Sequence, residues 1–198
     1  MAVSELRPSF PPTAVEAPED LHRRVISLAI AIAIVVGVLL FTAFRAHGSH
    51  SVVRVGGSAI VGHPAPDFTA TDLAGHQFSL SSLRGHPVIL AFGASWCRPC
   101  FEEYPLLVRA EAKYAGRLVV VSVMYEDLRA AELRFLNGQG VHWTAIDDNT
   151  NAIAAAYQVH GLPETFFVTP GGTLAERGFG LTSQRALDGR LNRLLAAP

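Results

Sequence analysis

Residues 88–105 read VILAFGASWCRPCFEEYP, and the fold turns on how they are read. Val88 to Phe92 is a short apolar run suited to a buried strand, and Gly93-Ala94-Ser95 is a small-residue turn. From Cys97 onward the spacing is helical. The chain has two cysteines in all, Cys97 and Cys100, and they stand three residues apart. On the first turn of a helix that spacing lets both sulfurs lie on one side of the backbone and close a small disulfide ring. Free amides and the positive end of the helix dipole favour a thiolate there.

Working outward, Pro105 falls inside the helix expected from Cys97 to about Ala115 and should kink it, because it removes a backbone donor. Leu118–Tyr125 (LVVVSVMY) is a continuous β-branched run, typical of a parallel strand buried on both faces. A helix over Asp127–Asn137, a strand over Trp143–Ile146 and a short helix over Asn149–Tyr157 follow. Strands Phe166–Thr169 and Thr173–Gly178 flank the turn Pro170-Gly171-Gly172, and a helix over Ser183–Ala196 closes the chain. Before the central strand, Thr69–Thr71 and Gln77–Leu80 read as a hairpin around Asp72–Gly75, and Ser81 can cap a helical turn that ends at Gly85. The expected folded domain is 60–198.

Residues 1–24 read as a short disordered tail, proline-rich at Pro8, Pro11, Pro12 and Pro18. Residues 25–44, VISLAIAIAIVVGVLLFTAF, hold no charge, and about 20 apolar residues cross a bilayer as a helix. A cleaved signal peptide is the alternative, with Ala46-His47-Gly48 as its small-residue site. Arg7, Arg23 and Arg24 before the run, against Arg45 and Arg54 after it, put the N-terminus in the cytoplasm and the bulk of the chain outside. Disulfide chemistry is at home there. Residues 45–59 are rich in small residues and read as a flexible linker, although Val52–Val55 could pair as a short strand.

Net charge of −1 and the lack of a Lys/Arg block give no case for nucleic acid. Two cysteines cannot fill a tetrahedral zinc site without two more ligands, and none of the eight histidines stands at ligand spacing from them. No metal and no cofactor beyond the cysteine pair is expected.

Cys97 is the expected nucleophile, nearest the free amides and beside the positive charge of Arg98. Cys100, one turn deeper, would resolve the mixed disulfide. Arg98 argues against two cysteines merely packed in a core, because arginine is rarely buried unpaired. Pro99 suits a first helical turn. Trp96 either shields the sulfurs or belongs to a substrate-facing surface. At 100° per residue, Cys100, Glu103, Tyr104 and Leu107 share one face, which sets Glu103 beside the inner sulfur and Glu102 in solvent.

The block WCRPC after a strand resembles the thioredoxin-like thiol–disulfide oxidoreductases. Pro66-Asp67-Phe68, Cys97…Cys100…Glu103-Tyr104-Pro105 and Gly161-Leu162-Pro163-Glu164-Thr165-Phe166 resemble the membrane-anchored TlpA/ResA/CcmG (DsbE) branch. The resemblance implies an α/β thioredoxin-like fold, a mixed sheet with helices on both faces, an N-terminal hairpin and an extra central helix. It also implies that Pro163 is cis and packed opposite the disulfide, that Glu103 modulates the thiols, and that Glu164 is a CcmG-type feature. Typical thioredoxins carry a buried Asp six residues before the first Cys; this chain has Ala91, so Glu103 or Glu164 would take over the proton.

The function so implied is reduction of disulfides in exported proteins, apocytochrome c haem-attachment cysteines among them. An integral-membrane electron donor of the CcdA/DsbD type would recharge the site. Two other readings fit less well. Peroxiredoxins resemble Pro-x-x-x-(Thr/Ser)-x-x-Cys, where this chain has Leu90 and Ala94. Copper(I) chaperones of the anchored thioredoxin-like type resemble Cys-x-x-x-Cys plus a histidine; here one residue fewer separates the cysteines, and His160 reads as a loop or edge residue.

Overall fold

A computed structural model describes residues 19–46, 54–56, 59–180 and 183–196. The chain divides into two compact units, Met1–His50 and Ser51–Pro198. The described residues of the first form helix α1 (Glu19–Ala46, 28 residues), whose apolar side chains from Val25 to Leu39 are exposed. Among the described residues no helix is long and apolar enough to cross a membrane. The apolar run 25–44 continues past Leu39 into side chains outside the described set. Of the tail expected over 1–24, residues 1–18 lie outside the described residues, and 19–24 are helical instead, forming the start of α1.

In the second unit a five-stranded sheet has the order β6-β5-β4-β7-β8. Its strands are β4 (Val88–Gly93), β5 (Val119–Tyr125), β6 (Ala145–Asp148), β7 (Glu164–Val168) and β8 (Leu174–Phe179). β4 lies at the centre, parallel to β5 and antiparallel to β7, and every residue in it is buried. That is why its sequence is apolar without alternation. Val88, Leu90 and Phe92 face one core, with Phe166, Tyr157 and Phe68. Ile89 and Ala91 face the other, with Leu107, Phe167 and Leu191.

Helices α2 (Cys100–Lys113), α3 (Arg129–Gly138) and α5 (Gln184–Leu195) supply the second face. The short α4 (Ala152–Ala156) supplies the first. α4 links β6 to β7, and buried Asp148 starts it by accepting the N–H groups of Ile153 and Ala154 at 3.2 and 2.8 Å. A smaller antiparallel sheet holds β1 (Arg54–Val55), β2 (Phe68–Thr71) and β3 (Gln77–Ser79).

Three expectations shift. Arg54–Val55 pairs with β2 and Ala59 is buried, so the compact unit begins at Ser51, inside the stretch read as linker; the rest of that stretch at 47–53 and 57–58 lies outside the described residues. The 3₁₀ turn runs Leu80–Leu83, so Ser81 lies inside it and not at its cap, and the Ser81 N–H donates to Asp67 Oδ1 at 2.9 Å. Helix α2 starts at Cys100, not Cys97. Residues 97–99 form turns in which Cys97 N–H donates to the Ala94 carbonyl at 3.1 Å and Cys100 N–H to the Cys97 carbonyl at 3.0 Å. Pro105 sits within a continuous α2, where it removes only the donor that would reach the Phe101 carbonyl.

Candidate active site

The carboxyl end of β4 and the N-terminus of α2 hold the site. Cys97 and Cys100 are joined in a disulfide. The first amide of α2, Cys100 N–H, points at Cys97 Sγ at 3.3 Å, so a thiolate on Cys97 would inherit a donor at the positive end of the helix. Cys97 is 3% exposed and Cys100 fully buried, within an apolar cluster that includes Ala94, Tyr104, Met124 and Phe135. Burial works against a thiolate; the helix amide and exposed Arg98 work for it. Pro99 caps α2. Trp96 is 58% exposed, with its indole N–H donated to the Glu126 carbonyl at 2.9 Å. It belongs to the surface beside the sulfurs.

Glu103 is buried at 3% exposure, as the helical geometry placed it, and Glu102 faces solvent. Thr165 Oγ1 donates to Glu103 Oε1 at 2.5 Å, and Oε2 has no partner. Burial pushes the Glu103 carboxyl above its ordinary range, against the pull of the Thr165 bond and the Arg190 charge. Thr165 pairs with Ala91 across β4 and β7. The carboxyl of α2 therefore reaches the neighbourhood that the small Ala91 side chain leaves open.

Pro163 is buried, and the Leu162–Pro163 bond is cis. Leu162 packs against the cluster that holds both cysteines. Glu164 is fully buried but points to the opposite sheet face from Thr165, because strand side chains alternate. There it is ion-paired with Arg177 and accepts the His160 N–H at 3.1 Å. Of the two acids named for the proton, Glu103 is on the disulfide side and Glu164 is not.

One contact was not legible from local pattern. Asp127 accepts both the N–H and, at 2.9 Å, the hydroxyl of Ser95, two residues before Cys97. The two are 32 residues apart and meet because β4 and β5 run parallel with Gly93 opposite Met124, which sets the loops after both strands side by side.

Residues 61–177 match the AhpC/TSA family. The chain belongs to that family. The ResA thiol–disulfide oxidoreductase of Bacillus thuringiensis is 30% identical over 135 residues, 68% of this chain and 78% of that protein. The solved structure of MTB DsbF in mixed oxidised and reduced forms is 32% identical, with a TM-score of 0.61 over 64% of this chain and 94% of its own. A DsbE-type thiol:disulfide interchange protein from Chlorobium tepidum is 29% identical, with a TM-score of 0.66 over 70% and 100%. Within the family this chain is a thiol–disulfide oxidoreductase of the TlpA/ResA/CcmG type, with a thioredoxin-like fold.

Proposed function

We propose that this enzyme is an extracytoplasmic, membrane-tethered reductase of disulfides in exported proteins. The observation that carries the reading is the α2 amide aimed at Cys97 Sγ, with Cys100 bonded behind it. In the reduced enzyme the Cys97 thiolate attacks one substrate sulfur and displaces the other as a thiolate, which takes a proton. Cys100 then attacks Cys97 in the mixed disulfide, freeing the second substrate thiol and closing the Cys97–Cys100 bond. Two electrons pass from the enzyme to the substrate. Glu103 is placed to hold or release a proton beside the inner sulfur as that bond opens and closes. Trp96, Arg98 and the backbone before cis-Pro163 form the face that a substrate segment meets.

The uncharged run 25–44 supports the tether, and the arginine bias supports a cytoplasmic N-terminus. An integral-membrane donor of the CcdA/DsbD type would return the electrons, since one anchoring helix carries none. Apocytochrome c, whose haem-attachment cysteines must be reduced, is the proposed substrate. The test is trapping in cells with Cys100→Ser, which leaves the mixed disulfide at Cys97 unresolved. Apocytochrome c among the captured proteins supports maturation; an assortment of unrelated exported proteins overturns it in favour of a general reductase; cytosolic proteins alone overturn the location.

A further inference from the structure

A second buried acidic group lies on α3, the helix whose Phe135 and Leu136 pack in the cluster that holds both cysteines. Glu132 is 0% exposed, and neither of its carboxyl oxygens has a hydrogen-bond partner. Asp147 on β6 is also buried, and its Oδ1 has no partner either. Two ionised carboxylates in this setting would repel each other and leave three oxygens unsatisfied in an apolar cluster. One proton removes the repulsion and spares Glu132 the cost of a buried charge.

We propose that Glu132 carries a buried proton, and that this proton keeps the Cys97 loop in its working position through Asp127. The link is structural. Asp127 lies just before α3, accepts the Leu128 N–H at 2.7 Å, and grips Ser95 by its amide and hydroxyl. Ser95 is followed by Trp96 and Cys97. A second negative charge on Glu132 would push against the carboxylate that makes those bonds.

The charged and titratable groups acting on Glu132 fix which partner keeps the proton. Burial, followed by the charges of Asp147 and Asp127, pushes Glu132 up to about 8, with Arg129 opposing. Asp147 is raised chiefly by burial, but Arg129 and the Asn149 backbone favour its ionised form. Asp147 therefore ionises first and Glu132 retains the proton. From α2, Tyr104 faces the same cluster, and burial holds its phenol protonated throughout this range. Glu132 is thus a positioning residue, silent at neutral pH and active as pH rises past its ionisation.

The proposal rests on Cys97 as the attacking sulfur, and one experiment reads the two apart. Alkylation of Cys97 is followed from pH 5 to 10 in the reduced full chain carrying Cys100→Ser, in detergent, with thermal unfolding recorded at each pH. The main rise in rate reports the Cys97 thiol. A second step near pH 8, changing the rate at least twofold, reports Glu132. The second step is expected to vanish in Glu132→Gln, which keeps the size of the side chain but cannot ionise, and to persist in Glu103→Gln. Asp147→Asn, which removes the nearest repulsion, should move it to lower pH. If Glu132→Gln does not fold, the Asp147→Asn displacement decides. A second step in Glu132→Gln unchanged from wild type, one unmoved in Asp147→Asn, or a wild-type profile with a single step overturns the proposal.

Discussion

Thr165 donates its hydroxyl to the Glu103 carboxyl at 2.5 Å, tying the strand that follows cis-Pro163 to the helix that starts at Cys100. The bond crosses 62 residues of sequence and connects the two segments on which disulfide exchange depends. It also leaves Glu103 half satisfied, with Oε2 unpartnered. A carboxyl so placed is costly to ionise and sensitive to anything that changes beside it.

Glu103→Gln is expected to lower the pH at which Cys97 ionises, by about one unit, because a nearby negative charge is removed. Thiol alkylation across pH measures it. The same variant should flatten part of the pH dependence of stability. The folded state holds the Glu103 proton more tightly than the unfolded chain does. That contribution to stability is complete below the unfolded carboxyl range and is lost as pH rises through the raised folded value. Denaturant melts of wild type against the variant should therefore diverge with pH, and parallel curves would show that Glu103 carries no such proton.

Arg177→Met should cost about 3–5 kcal/mol, because it strands the fully buried Glu164 carboxylate. Glu164→Gln should cost less, since it removes the buried charge itself. Neither should move the Cys97 ionisation, because the pair lies on the far face of the sheet. Urea unfolding and thiol titration on the same samples check both statements.

Gly93→Ala tests the packing under the site. A Cβ at Gly93 would come within 2.8 Å of the Tyr104 hydroxyl and 3.0 Å of its ring. Tyr104 is wholly buried beside Met124 and Phe135 and has little room to give. A loss of about 1–3 kcal/mol in urea melts is expected.

The central strand was legible because burial on both faces of β4 demands an unbroken apolar run, and the cysteine spacing is local. Glu103 could be placed by counting around a helix. The start of α2 was misplaced by three residues, since Cys97–Pro99 turn with i→i+3 bonds that no helical periodicity reports. Sequence does not say which sheet face a strand residue takes, so it leaves Glu164 open as a proton carrier; the pairing with Arg177 on the far face decides that. The Asp127–Ser95 grip depends on β4 and β5 being parallel neighbours, and the burial of Glu132 on where α3 docks. In sequence, Glu132 is one more polar residue on a helix whose exposed face is polar.

The account stands on Cys97 attacking and Cys100 resolving. Reduced Cys100→Ser and Cys97→Ser variants should each be mixed with one disulfide-bonded exported protein at neutral pH, and the adducts identified by mass spectrometry. Cys100→Ser is expected to accumulate a stable mixed disulfide on Cys97, while Cys97→Ser, with its remaining sulfur buried, accumulates almost none. Equal adducts in both variants, or an adduct confined to Cys100 in Cys97→Ser, would contradict it.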